Sequence, residues 1–190
     1  MFWKSDPGLD GPDLQPVQAQ FTISAHADAS RFDLPESGWS ILPGVVRPKS
    51  RGAVTLTGAD PLDPVRIHAN TLAHPDDMKA ILRCVELCRE IGNAEALRPF
   101  AKREAMPGDL RGQALESFVR DTASTYWHQS CTAKMGRDAM SVVDANLKVY
   151  GIEGLRIADA SIMPRVTTGN TMAPCVVIGE RLGSMISNGR

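Results

Sequence analysis

Histidine is the side chain that exchanges protons near neutral pH, and this chain has four: His26, His68, His74 and His128. The first three sit in turn-rich or strand-like stretches without acid–histidine or cysteine–histidine spacing, and read as surface or structural residues. His128 stands in Tyr126-Trp127-His128-Gln129-Ser130-Cys131-Thr132-Ala133-Lys134-Met135-Gly136, behind two aromatic residues and ahead of small and hydroxyl-bearing ones. A histidine shielded in this way suits a general base. On spacing alone the preferred reading is a ring packed beside Trp127. Ser130 and Cys131 are sequence neighbours too close to bring nucleophile and base into register. The chain also has no G-x-S-x-G elbow, so nucleophilic catalysis is not expected.

A second stretch, V-T-T-G-N-T at residues 166–171, runs straight into a helical pattern with Pro174 near its start. Helix N-termini offer free N–H groups to anionic or electron-rich ligand atoms. The same residues also make an ordinary helix start, an Asn or Thr N-cap with proline in the first turn. The four cysteines are Cys84, Cys88, Cys131 and Cys175, with no C-x-x-C pair. Cys84 and Cys88 lie four apart on one helix face and read as small buried residues rather than a metal pair; no metal site is expected. So few cysteines in a chain of this length do not make a disulfide framework, and a reducing cytoplasm is the expected compartment.

The elements that must position these residues follow from punctuation and period. In the first third, Pro7-Gly8, Gly11-Pro12, Pro16, Pro35, Gly38, Pro43-Gly44 and Pro48 cut the chain into short pieces. Strand-like segments remain at residues 17–23, 39–46, 53–57 and 65–68, and no helical period is expected among them. From Pro75 the apolar positions Met78, Ile81, Leu82, Val85, Cys88 and Ile91 trace one face of a helix that Gly92 ends. A second helix is expected after Asp109, with Leu115, Phe118 and Val119 on its buried side. Residues 147–149 and 155–157 read as short strands, and a last helix runs from about Thr171 to Ile186.

Composition bounds the function classes. The 190 residues carry 21 Lys+Arg against 22 Asp+Glu, a net charge of -1, and 43% are hydrophobic. No basic excess points to nucleic acid. No apolar run approaches the roughly 20 residues of a membrane span, and no signal-like apolar region follows Met1.

Five blocks then resemble one family. Residues 128–136, H-Q-S-C-T-A-K-M-G, resemble the H-x-x-G-T-x-x-M-G signature of the glucose–methanol–choline (GMC) oxidoreductases. Residues 142–151, V-V-D-A-N-L-K-V-Y-G, are similar to its V-V-D-P-x-L-x-V-x-G. Residues 154–164, G-L-R-I-A-D-A-S-I-M-P, are similar to G-L-R-V-x-D-A-S-x-M-P. Residues 169–174, G-N-T-M-A-P, with Ile178 and Glu180, resemble G-N-[TP]-x-A-P…I-x-E. Upstream, R-P-K-S-R-G at 47–52 and Asp60-Pro61 resemble R-P-x-S-R-G…D-P. The resemblance covers nearly the whole chain, as the C-terminal part of such an enzyme.

The resemblance implies an FAD-dependent oxidation of an alcohol, in which a base takes the hydroxyl proton and hydride passes to flavin N5. His128 matches the family's active-site histidine and is assigned as the base. Asn170 matches the second active-site position, where its amide would orient the substrate oxygen. Asp159 and Ala160 match positions that approach the cofactor. Thr171 and Met172 match positions whose backbone lies near the flavin ring. Two residues depart from the pattern: Cys131 replaces the signature glycine, with its side chain expected to pack inward, and Gly179 replaces a commoner alanine.

The chain contains no G-x-G-x-x-G, the turn that holds a pyrophosphate at a helix N-terminus. The expected partner is therefore a separate N-terminal FAD-binding half, besides a small alcohol substrate. The alternative is a truncated, non-catalytic domain without flavin binding of its own. The expected fold class is α+β, a mostly antiparallel sheet backed by helices, with a C-terminal strand–helix segment belonging to the FAD-binding domain. Residues 1–140 are expected to form the substrate-binding domain and residues 141–190 to return to the FAD-binding domain. Left alone, that last segment is expected to expose Val176, Val177 and Met185.

Overall fold

The computed structural model describes residues 1–24 and 26–189, without the side chains of His26, Ala27 and Ala29. The chain forms two compact units. One consists of Met1–Arg51 with Asn70–Ser124. The other consists of Gly52–Ala69 with the residues from Thr125 onward. These units part at Ser124, ahead of position 140; the division between a substrate-binding and a flavin-binding domain is a separate, functional assignment.

In the first unit, β1 (Val17–Ala19) and β2 (Ser40–Leu42) pair antiparallel, Val17 opposite Leu42. Each strand is only three residues long, because Pro16 and Pro43 sit at their ends and a proline cannot donate to a ladder. Between them lies α1 (His26–Arg31), a short helix where no helical period was expected; the His26 side chain lies outside the described residues. The long helix α2 (Pro75–Gly92) follows the sequence period closely. Its start is capped by His74, whose ring Nδ1 accepts from the Asp76 N–H at 3.2 Å. His74 thus has the structural role expected of it.

One face of α2 sets Ala80, Cys84, Leu87 and Cys88 against Leu14, with Ile41 and Val45 from the β2 region packed alongside. The neighbouring face sets Met78 and Val85 against Leu115, Phe118 and Val119 of α3 (Gly112–Thr122). Both cysteines of α2 are buried, and the contact with Cys84, followed by burial, pushes the Cys88 thiol up. Between α2 and α3 the chain makes one 3₁₀ stretch, Glu95–Phe100.

The R-P-K-S-R stretch is tied to the start of α2 by Asp77, which is 4% exposed. Its carboxylate accepts from the N–H of Lys49 (2.8 Å), the N–H of Ser50 (2.7 Å) and the Ser50 hydroxyl (2.5 Å). A buried carboxylate is tolerable only when satisfied in this way.

The second unit holds a separate hairpin, β3 (Ala53–Thr55) with β4 (Arg66–His68), antiparallel with Ala53 opposite His68. Gly52 enters this hairpin so closely that a Cβ there would lie 2.3 Å from the His68 carbonyl oxygen. The rest of the unit is built on Val143, Leu147 and Ile162, against which Met135, Val149, Ile157, Ile178 and Leu182 pack. The last two belong to α4 (Met172–Ser187).

The class is α+β, as the sequence implies, but the sheet is reduced to two two-stranded pieces. The strands expected at 147–149 and 155–157 are present only as isolated bridges, Val143 to Val149 and Lys148 to Arg156. Leu147, Gly151 and Gly154 lie at φ values of 64°, 76° and 73°, which break any extended run. On α4, Val176 and Val177 are exposed as expected. Met185, however, is buried at 8%. No described helix is long and apolar enough to cross a membrane.

Candidate functional site

Three of the sequence blocks meet in one hydrogen-bonded scaffold. After His128 the chain runs beside the 3₁₀ turn Ala160–Ile162. The N–H groups of Cys131, Ala133 and Met135 donate to the carbonyls of Ala160, Ser161 and Ile162 at 3.2, 2.9 and 2.7 Å. The step of two on one side against one on the other holds the strand-like segment along the turn. The block at 142–151 closes the other side. Val142 N–H donates to Lys134 O, Gly136 N–H to Val143 O, and the Tyr150 hydroxyl to Gly136 O at 2.9 Å. The turn itself is started by Asp159, whose carboxylate accepts from the Ser161 N–H at 2.7 Å. The interaction with Ser161 holds that carboxyl below the usual carboxylate range.

The fourth block arrives on α4. Ile178 and Leu182 anchor this helix on the Val143–Leu147–Ile162 cluster, so its N-terminus has a fixed place. Gly169 makes the turn into it at φ 109°, a conformation open to glycine and costly to other residues. This turn brings Asn170 and Thr171 to His128, 42 and 43 residues away in sequence. The Asn170 amide nitrogen lies 3.0 Å from His128 Nε2, and Thr171 Oγ1 lies 3.1 Å from Nδ1. Both ring nitrogens therefore have a partner, one from each of two consecutive residues.

The structure thus joins His128, Asn170 and Thr171 directly. Met172 follows at the head of α4 and is 72% exposed. Ala160 is linked to the histidine segment through the Cys131 N–H, and Asp159 acts one step further back, through the turn it caps. His128 is not packed under Trp127, which is 80% exposed and lies at φ 59°. A hollow of about 310 Å³ in this unit is lined by Met135, Asp144 and Tyr150 among others, and holds none of these site residues.

The glycine missing from the signature has a visible consequence. Cys131 lies at φ 73°, the left-handed region that a glycine occupies without strain. Its side chain is half-buried, with Sγ 3.3 Å from the Ser130 hydroxyl.

One functional feature goes beyond the sequence reading, which assigned Thr171 through its backbone. Its hydroxyl faces the His128 ring instead of capping its own helix. Pro174, in the first turn, carried the signal: it removes an N–H that an N-cap hydroxyl would otherwise seek.

An uncapped helix N-terminus beside an amide is a donor set that fits an electron-rich ring edge. No side chain caps α4, and its first residues, Met172 and Ala173, are exposed. These features fit a flavin placed against the head of α4.

Similarity to known proteins gives the chain's family. The model of the GMC oxidoreductase C-terminal region matches residues 48–179, and the chain belongs to the GMC oxidoreductase family. The mitochondrial choline dehydrogenase of Mus musculus is 40% identical over 189 residues, covering 97% of this chain and 31% of that protein. The oxygen-dependent choline dehydrogenase of Stenotrophomonas maltophilia (strain R551-3) is 38% identical, covering 97% of this chain and 33% of that protein. The chain thus spans about a third of the length of these curated relatives. Among solved structures, pyridoxine 4-oxidase from Mesorbium loti superposes with a TM-score of 0.89 at 28% identity, covering 98% of this chain and 37% of that one. An FAD-dependent oxidoreductase from Chaetomium thermophilum gives 0.74 at 32% identity, covering 86% of this chain and 30% of that one.

Proposed function

We propose that the chain is the substrate-binding, proton-accepting part of an FAD-dependent oxidoreductase acting on an alcohol CH–OH group. The observation that carries this reading is the pairing of His128 with Asn170 at the head of α4. FAD, when bound, would supply the two-electron acceptor for the hydride of the carbinol carbon.

The chain's own residues handle the rest. Oxidation of an alcohol to a carbonyl releases one hydride and one proton. His128 Nε2 is the acceptor for that proton. A hydroxyl bound at Nε2 comes within reach of the Asn170 amide, which holds the substrate oxygen in place by donation. The exposed first turn of α4 would help hold the flavin, its free N–H groups favouring negative charge beside them. Asp159 and Ala160 support the segment that carries His128 and belong to the cofactor side of the site.

The partner in this proposal is a flavin-binding polypeptide, on the same or a separate chain. Residues 1–140 serve the substrate side and 141–190 the flavin side. The cytoplasm is the proposed compartment, on the four free thiols.

The test is anaerobic mixing of the flavin-loaded assembly with a panel of alcohols, followed by flavin bleaching. Choline and pyridoxine come first, after the choline dehydrogenase and pyridoxine 4-oxidase that the chain resembles. Bleaching by an alcohol supports the proposal. A flavin that no alcohol reduces would favour a non-catalytic domain.

A further inference from the structure

We infer that the Thr171 hydroxyl is a positioning group for His128: it accepts the ring proton at Nδ1 and so keeps Nε2 as the basic nitrogen. An amide nitrogen has only hydrogens to offer. With the Asn170 nitrogen 3.0 Å from Nε2, that ring nitrogen must accept. A neutral imidazole carries one N–H, which is then on Nδ1, directed at Thr171 Oγ1 3.1 Å away. The bond made by one ring nitrogen sets the state of the other.

Two further observations support a dedicated contact. Thr171 is 8% exposed, whereas its neighbours Asn170 and Met172 are exposed, so water competes little for its hydroxyl. The residue also stands at the N-cap of α4, where a threonine ordinarily turns its oxygen to an N–H of the first turn. It makes no such bond. Pro174, the third residue of α4, has no N–H to give, and the hydroxyl is left for the ring. A threonine that served only packing would be replaceable by valine, which has the same shape without the oxygen.

The inference rests on His128 as the proposed base only for its effect on rate; the tautomer is a property of this chain alone. The experiment is therefore two-part. The 190-residue chain is labelled with ¹⁵N-histidine, and two-bond ¹H–¹⁵N correlations are recorded at about pH 9, above the ordinary histidine range. The expected wild-type ring carries its proton on Nδ1. Thr171→Val is expected to shift the tautomer ratio toward Nε2–H by about tenfold, the usual reach of one hydrogen bond. Thr171→Ser is expected to keep the wild-type ratio. A wild-type ring protonated at Nε2, or a valine variant that matches wild type, overturns the inference. Should the valine variant not fold, the wild-type and serine spectra still decide it.

In the flavin-loaded assembly, Thr171→Val is expected to slow flavin reduction about tenfold with a displaced pH profile, and serine to restore both. A tautomer that follows Thr171 while His128→Ala leaves reduction unchanged upholds the positioning and removes the base assignment. The two failures are thus told apart.

Discussion

The side-chain amide of Asn170 and Nε2 of His128 lie 3.0 Å apart across 42 residues of sequence. Neither belongs to a strand. His128 lies in a segment tied to a 3₁₀ turn, and Asn170 in a glycine turn ahead of α4. Their meeting depends on a small apolar cluster that both elements share.

Replacing His128 by alanine in the flavin-loaded assembly is expected to slow alcohol-driven flavin reduction by about 10²–10⁴-fold, the usual contribution of a general base. Stopped-flow bleaching of the flavin measures this, and an unchanged rate removes His128 from the role. Asn170→Ala should cost less, since in its proposed role the amide orients oxygen without taking a proton.

Cys131→Gly should stabilise the chain by about 1 kcal/mol, because a residue with a Cβ is strained at positive φ and Cys131 sits at 73°. Thermal unfolding should show a midpoint about 2–4 °C higher. A lower midpoint means that the thiol contributes more by packing than its backbone costs.

Asp77→Ala removes the acceptor of three hydrogen bonds, two of them from backbone N–H groups. With the donors left near a buried site, the expected loss is about 2–4 kcal/mol. Urea unfolding of the two proteins measures it, and a loss within error of zero contradicts the anchoring of residues 49–50 to α2.

Gly52→Ala should destabilise the β3–β4 hairpin by about 1–3 kcal/mol, as over-packing does. The new methyl group would meet backbone oxygens of His68 at 2.3 Å and Ala69 at 2.9 Å, neither of which can swing aside. Hydrogen exchange at Ala53 and His68 reports it, and protection equal to wild type refutes it.

The N–H of Lys148, with that of Asn146, holds the Asp144 carboxyl below the ordinary range. A depressed value in the folded state means that the unfolded state binds the proton more readily in acid. Stability therefore rises with pH in that window. This contribution is complete above about pH 4 and is lost as pH falls through the folded value. Urea midpoints followed down from about pH 5 should fall less steeply in Asp144→Asn than in wild type. Equal slopes would show that Asp144 does not couple to folding.

Much of the architecture was legible in the residues. The apolar period from Met78 to Ile91 specifies α2 because one face of an isolated amphipathic helix must be buried. Leu115, Phe118 and Val119 mark α3 for the same reason. The short strands were legible in place and overestimated in length, since β-branched residues report a tendency that proline and positive-φ positions cut short. The helix α1 escaped notice because one turn and a half carries too little period to read.

At the site, family motifs picked out His128 and Asn170, and the structure showed how they meet. Nothing in the spacing of residues 128 and 171 tells which atom of Thr171 faces the ring. That depends on a rotamer chosen by Pro174 and by burial. The fate of Met185 was likewise a matter of packing: its place near the C-terminus says little about which way α4 turns its faces.

Cys131, Ala133 and Met135 are strung along Ala160–Ile162, while α4 is fastened to the same apolar cluster. The imidazole and the amide are therefore aligned as a cassette, held by one polypeptide stretch of the second unit. On the proposed function, a flavin would meet an imidazole and an amide that already stand side by side.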